Sequence, residues 1–311
     1  CNILFIVYFR MDYSALFISA CIGYLVNIVV LGWGIKLPKL ISVSAFDKVL
    51  FKRMLIFSLP LCMNSVAYWF LTSYNRVAIS NVLSVSENGL YSIAGRFSSF
   101  ITLFTTCFNM AWQEMSYSRE AQKQTNQGGF YTTALNSYIK FLCMGLLMLI
   151  PAISVIFPIM INESYADAKQ LVPYYLLATI VSCISSFFGN IFTAIKKNNV
   201  LFYTTVAGSV VNVVSVHLLL PIVGVQGASI ALFLGFMVNN TIRAYLLKKE
   251  IQVSIDLKFI IAWAIVYIGV SYIYLHANAV INILTVFAGG FLTLFVFRKE
   301  LKEILGTIKN R

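Results

Sequence analysis

Long apolar runs recur from one end of this chain to the other, and Lys and Arg residues gather in every second gap between them. Several runs approach 20 residues, the length an α-helix needs to cross roughly 30 Å of hydrocarbon. Inside a bilayer the backbone must satisfy its own hydrogen bonds, which leaves only helices and closed barrels. A barrel would show short alternating segments of about ten residues, whereas these runs are continuous. The expected fold is therefore all-α, a polytopic helical membrane protein. Composition agrees: 59% of the residues are hydrophobic and 11% are charged, against roughly 25% charged in a soluble domain.

The runs predict a partial span at 1–9 and full spans near 14–33, 55–80, 89–111, 135–160, 170–194, 199–220, 225–246, 258–275 and 279–297. Of the 23 Lys and Arg residues, 19 fall at gaps that share one side of the membrane if each run crosses once. They are Lys36, Lys39, Lys48, Lys52 and Arg53; Arg119, Lys123 and Lys140; Lys196 and Lys197; Arg243, Lys248, Lys249 and Lys258; and Arg298, Lys299, Lys302, Lys309 and Arg311. The alternate gaps hold Arg10 and Lys169 beside Asp12, Glu87, Glu163 and Asp167. Basic loops stay in the cytoplasm, so the basic gaps and the C-terminus are expected on that side of a cytoplasmic membrane. The same bias accounts for the net charge of +12 and argues against nucleic acid as a partner, since no gap could hold a globular nucleic-acid module.

In the basic gap at 34–54, Pro38 is expected to end the preceding helix. Phe46, Val49, Leu50 and Met54 then recur at roughly helical spacing opposite Asp47, Lys48 and Lys52. Two readings fit: an amphipathic helix lying on the membrane surface, or the charged lead-in to the next span. Glycines at 208, 224, 227, 235, 289 and 290 are assigned to close helix packing. The six cysteines lack metal-like spacing and read as small apolar residues. His217 and His276 are isolated and read as hydrogen-bonded interfacial residues. The chain opens on Cys1, inside an apolar run and without an initiator Met, and is read as part of a longer protein.

The candidate site comes from the polar residues within the spans. Asn64, Tyr68, Thr72, Asn75 and Arg76 recur at spacings of three or four, which places them on one face of a helix. Pro60, near the cytoplasmic end of that span, is expected to bend it. In the next span Asn88, Ser92, Arg96 and Ser99 share a face, with Gly95 beside them. An arginine near a helix centre costs roughly 2.5–3.5 kcal/mol on insertion scales, so a watery cavity or an anion is expected to offset it. Arg96 is the deeper of the two, whereas Arg76 lies close enough to the boundary to snorkel instead. The planar fork of Arg suits phosphate or carboxylate.

The run Phe57-Ser58-Leu59-Pro60-Leu61, then Asn64, Asn75-Arg76, Asn88-Gly89-Leu90-Tyr91-Ser92, Ala111-Trp112 and Val225-Gln226-Gly227-Ala228 resembles the Wzx-type flippases of bacterial polysaccharide synthesis. These are members of the multidrug/oligosaccharidyl-lipid/polysaccharide exporter superfamily. The resemblance covers nearly the whole chain from about residue 50, through the order and spacing of short, degenerate motifs. It implies a two-lobe MATE-like exporter fold around a central cavity, with this chain as its C-terminal part: the end of the first lobe at 1–33, a cytoplasmic basic linker at 34–54, a second six-helix lobe at 55–247, two additional spans at 258–297 and a basic tail at 298–311. It further implies an undecaprenyl-diphosphate-linked oligosaccharide as substrate, moved within the lipid bilayer of the inner membrane. Arg96 and Arg76 would attract the diphosphate or acidic sugars, Asn64, Tyr68, Thr72 and Asn75 would hydrogen-bond sugar hydroxyls, and Ser92 would join the substrate-binding set. A polysaccharide polymerase and a chain-length regulator are the implied partners. No cofactor is implied, and proton or sodium exchange stays open as the driving force. The family frequently has Asp where this chain has Asn75, so any coupling through that acid must differ here.

Two other classes remain as alternatives. Drug and cation exporters of the same fold would need buried acids, whereas all 11 Asp and Glu residues sit in or next to gaps. A membrane-embedded polymerase or lipid-linked glycosyltransferase would need a catalytic acid or a large loop outside the membrane.

Overall fold

The computed structural model describes residues 3–8, 12, 14–36, 46–121 and 127–298. The expectations placed on Cys1, Arg10, Pro38, Lys39, Lys123, Lys299, Lys302, Lys309, Arg311 and the Arg119 side chain lie outside the described residues. Among those described, a short π-helical turn at Leu4–Tyr8 and a 3-10 turn at Glu163–Tyr165 accompany ten α-helices. These are α1 (Ser14–Gly34), α2 (Lys48–Thr72), α3 (Tyr74–Val82), α4 (Val85–Ala121), α5 (Gln127–Met160), α6 (Ala168–Ala194), α7 (Asn198–Val223), α8 (Gln226–Ile251), α9 (Leu257–His276) and α10 (Ala279–Val296). The chain divides into two compact units, 1–56 and 57–311. The first holds α1, most of whose side chains are exposed.

Among the described residues, eight helical segments are long and apolar enough to cross a membrane, the pair α2–α3 counting as one. The longest helix, α4 at 37 residues, is not among them. Residues 89–111, expected as a span, lie within this helix, where Arg96 and a series of Ser and Thr residues lower the apolar content. Its length, about 55 Å at 1.5 Å per residue, still exceeds the hydrocarbon thickness.

The expected span at 55–80 is present as the pair α2–α3, with a break at Ser73 that the sequence does not announce; α2 runs on through Pro60. Nothing in the sequence around Ser73 breaks a helix. The interruption is held by tertiary contacts: Asn212 Nδ2 on α7 donates to Phe70 O at 3.2 Å, covering a carbonyl at the broken end. At the start of α2, Asp47 Oδ1 accepts from Val49 N at 2.8 Å, so Lys48, Lys52 and Arg53 occupy the first turns of the same helix that carries Pro60.

The core of the second unit lies among α4 to α9, with Phe187, Phe188, Phe192 and Phe236 fully enclosed. α7 and α8 form a tight hairpin through Gly224, whose φ of 63° an L side chain rarely adopts. They cross at Gly208 and Gly235: a Cβ on Gly208 would lie 2.7 Å from Gly235 O. α9 and α10 pack on the outside of α5, where Trp263 Nε1 donates to Cys143 O at 2.8 Å and Gly289 lies against Met148. Pro173 in α6 has no N–H to give to Lys169 O, four residues earlier. The hydroxyl of Tyr274 on α9 donates to that carbonyl instead, at 3.1 Å. Side chains turned away from the core, such as Ile268 and Phe291, are large, apolar and exposed, as lipid-facing residues should be.

Candidate functional site

The second unit places Arg76, Ser92 and Arg96 together. Arg76 lies in the first turn of α3 and Arg96 in the N-terminal half of α4, and both side chains are exposed. Arg76 Nη1 donates to Ser92 Oγ at 3.2 Å. Ser92 Oγ in turn donates to Asn88 O at 2.8 Å, and Asn88 Nδ2 donates to Ser80 Oγ at 2.9 Å. The hairpin between α3 and α4 is thus tied by polar bonds along one side. Arg96 stands one turn beyond Ser92, about 6 Å along the helix axis. Gly95 beside it lets the Tyr175 ring of α6 approach: a Cβ there would lie 3.1 Å from the hydroxyl. The two guanidinium groups therefore sit on the same hairpin, and neither makes an ion pair among the described residues.

The remaining predicted residues point elsewhere. The break at Ser73 separates Asn75 and Arg76 on α3 from Asn64, Tyr68 and Thr72 on α2. Asn75 is fully buried: its Nδ2 donates to Ala228 O at 2.8 Å and its Oδ1 accepts from Asn212 Nδ2 at 2.8 Å. It joins α3 to α7 and α8. Asn64 Oδ1 accepts from Thr205 Oγ1 at 2.6 Å. Tyr68 OH lies 3.4 Å from Ser182 Oγ on α6, and Thr72 Oγ1 donates to Tyr68 O at 2.8 Å. These three are half-buried. His217 Nε2 pairs with Tyr74 OH at 2.9 Å, and His276 Nδ1 lies 3.1 Å from Tyr272 O.

One arginine was misplaced by the charge map. Arg243, grouped there with the loop cations, lies inside α8 and is only 4% exposed. All of its partners are neutral. Nε donates to Thr204 Oγ1 at 2.9 Å, Nη1 to Ser185 O at 2.7 Å and Ser185 Oγ at 2.9 Å, and Nη2 to Thr205 Oγ1 at 3.0 Å and Leu201 O at 3.4 Å. All five guanidinium hydrogens are used. Its position five residues before Lys248 hid it: only its partners on α6 and α7 distinguish it from a helix-end cation. Lys140 likewise lies within α5, over the Phe259 ring of α9.

The solved structure of the lipid II flippase MurJ, in an inward closed conformation, matches this fold with a TM-score of 0.58 at 18% identity. The match covers 82% of this chain and 56% of that one, so the chain spans just over half the length of the flippase it matches. At this identity the likeness establishes the fold alone, the all-helical fold of that flippase over part of its chain. No curated protein matches the chain by sequence. The family model described as polysaccharide biosynthesis protein matches residues 2–159. That segment is half of the chain and contains Arg76, Ser92 and Arg96, and the protein belongs to the polysaccharide biosynthesis protein family.

Proposed function

We propose that this chain is the C-terminal part of a flippase that carries undecaprenyl-diphosphate-linked oligosaccharide across the bacterial cytoplasmic membrane for surface polysaccharide synthesis. The observation that carries this reading is the exposed pair Arg76, bonded to Ser92, and Arg96, one turn beyond Ser92 on α4, both without acidic partners among the described residues. Two phosphates joined by one oxygen need two such forks close together, and charge-assisted bonds to phosphate are the strong ones. The family and the MurJ-like fold support a lipid-linked substrate. Residues 1–33 would end a first lobe, 34–54 would link the lobes, 55–247 would form the second lobe and 258–297 an added pair, with the C-terminal tail in the cytoplasm. Alternation of the two lobes would open one cavity to each leaflet in turn. Asn64, Tyr68 and Thr72 would offer hydrogen bonds to the substrate, whereas Asn75, enclosed between α7 and α8, would shape the lobe instead.

Arg96→Ala in the full-length protein is expected to cut surface polysaccharide at least tenfold, the loss of about one charge-assisted bond, with undecaprenyl-linked units accumulating inside. Unchanged surface polysaccharide at normal protein level would overturn the anion-binding role. Glycosyl transfer by the purified full-length protein without translocation would favour the enzyme class instead.

A further inference from the structure

The polar face of α4 does not stop at the arginine. Asn88, Ser92, Arg96, Ser99, Thr102, Thr106, Asn109 and Gln113 follow one another at spacings of three or four, so one face is polar for about 37 Å at 1.5 Å per residue. Arg96, Ser99, Thr102 and Thr106 are exposed. The threonine hydroxyls along this face bond within the helix: Thr102 Oγ1 donates to Ser99 O at 3.2 Å and Thr106 Oγ1 to Thr102 O at 2.7 Å. The far end differs. Gln113 Nε2 donates to Asn190 Oδ1 of α6 at 2.7 Å, and Asn190 Nδ2 donates to Asn109 Oδ1 at 3.2 Å. Three amides thus form a chain between two helices.

Counting donors and acceptors shows what this chain leaves over. Each amide has two N–H donors and one carbonyl acceptor. The two bonds use one hydrogen each from Gln113 and Asn190, and the oxygens of Asn190 and Asn109. Gln113 Oε1 and a second hydrogen on both Gln113 and Asn190 have no partner among the described residues, the Asn109 amide has its two hydrogens left for the neighbouring Tyr138 hydroxyl and a ligand, and all three residues are only half-buried. Behind them Trp112 is 3% exposed and stacks on Phe187 of α6 with ring centroids 4.8 Å apart. That contact fixes the register of α4 on α6 and so aims the amides. No charged group bonds to the cluster among the described residues. An uncharged array offering both donors and acceptors complements sugar hydroxyl and acetamido groups. A diphosphate, which only accepts, is better matched by guanidinium.

We propose that Asn109, Gln113 and Asn190 form a carbohydrate subsite that binds the sugars of the lipid-linked substrate, separate from the Arg76–Arg96 pair that holds its diphosphate. The inference rests on the flippase reading. Asn109 lies 13 residues beyond Arg96, about 20 Å along α4, so one substrate can occupy both sites only if it carries several sugars. Asn190 is four residues from the end of α6, beside Lys196 and Lys197, which places the subsite at the cytoplasmic end, where such a headgroup would enter.

The test uses the full-length protein in nanodiscs and two probes: undecaprenyl diphosphate without sugar, and the same carrier bearing the oligosaccharide repeat isolated from the host cell. Gln113→Leu combined with Asn190→Leu is expected to weaken binding of the sugar-bearing lipid about tenfold and to leave the sugarless lipid unchanged. Arg96→Ala is expected to weaken both. Gln113→Leu alone, which keeps the Asn190–Asn109 bond between the helices, should give part of the loss with the same selectivity. If both lipids weaken together in the amide variants, the cluster is a helix lock and the subsite is wrong. If wild type binds both lipids and the amide variants bind them equally well, the subsite falls while the flippase reading stands. If wild type binds neither lipid, both fall.

Discussion

Arg243 places a guanidinium inside the lobe with no acid to balance it. Two opposing terms decide what its removal would do. Enclosing a charge costs several kcal/mol even after relaxation, while each hydrogen bond to a charged group returns about 1.5–3 kcal/mol. Its partners are not stranded when it goes. Thr204 Oγ1 also donates to Val200 O, Thr205 Oγ1 to Asn64 Oδ1 and Ser185 Oγ to Asn239 Oδ1. Only acceptor capacity would be left over, and that is cheap compared with an orphaned donor. Arg243→Met, which fills the space without the charge, is therefore expected to leave the melting temperature within a few degrees of wild type or to raise it. Arg243→Ala opens a cavity and is expected to cost about 2–3 kcal/mol, visible as a lower melting temperature of the purified full-length protein. Equal losses for both substitutions would mean that the charge itself holds α6, α7 and α8 together. Legibility divides at the same scale. Arg76, Ser92 and Arg96 could be read from spacing because their partners lie within about 20 residues of chain. Arg243 and Asn190 could not, because what defines them sits 38 to 81 residues away.

At the scale of elements, most helices follow the apolar runs because the bilayer requirement acts through local sequence: a run of that length must be helical wherever it packs. Two features escaped for a tertiary reason. The break at Ser73 exists because Asn212 covers Phe70 O, and α4 can stay polar along one face because α6 covers another, as at Gly95 and Tyr175. The irregularity in α6 gives a sharper test. Pro173 removes the donor for Lys169 O, and Tyr274 supplies one from α9. Tyr274→Phe is expected to cost about 1 kcal/mol. In a Pro173→Ala background the new N–H can satisfy Lys169 O directly, so Tyr274→Phe should then cost much less. A double-mutant cycle on thermal stability reads this as a coupling of about 0.5–1 kcal/mol. Additive effects would mean that α9 is held to α6 by other contacts, among them the Tyr267 hydroxyl, which donates to Pro173 O at 2.6 Å.

At the scale of the molecule, orientation decides which leaflet each part of the site meets. With Lys196, Lys197, Lys248 and Lys249 at one set of helix ends, and Glu163 and Asp167 at the other, the positive-inside rule predicts the ends of α6 and α8 and the starts of α7 and α9 in the cytoplasm. Arg76 and Arg96 would then lie towards the outer side, and Asn109, Gln113 and Asn190 towards the inner. The α3–α4 turn and the α5–α6 connection should meet the outer face together. Single cysteines introduced at Ser86, Ser164 and Asn278 of a cysteine-free full-length protein are expected to react with a membrane-impermeant thiol reagent in intact cells. Cysteines at Lys196 and Lys249 should react only after the cytoplasmic membrane is permeabilised. These sites are exposed or lie in turns, so substitution costs little stability. Labelling of Lys249→Cys from outside would reverse the orientation of α8. It would also exchange the leaflets assigned to the arginine pair and the amide chain. Labelling at Ser86 but not at Ser164 would mean that α4 and α5 do not return the chain to the outer face, so that α4, for all its length, does not cross.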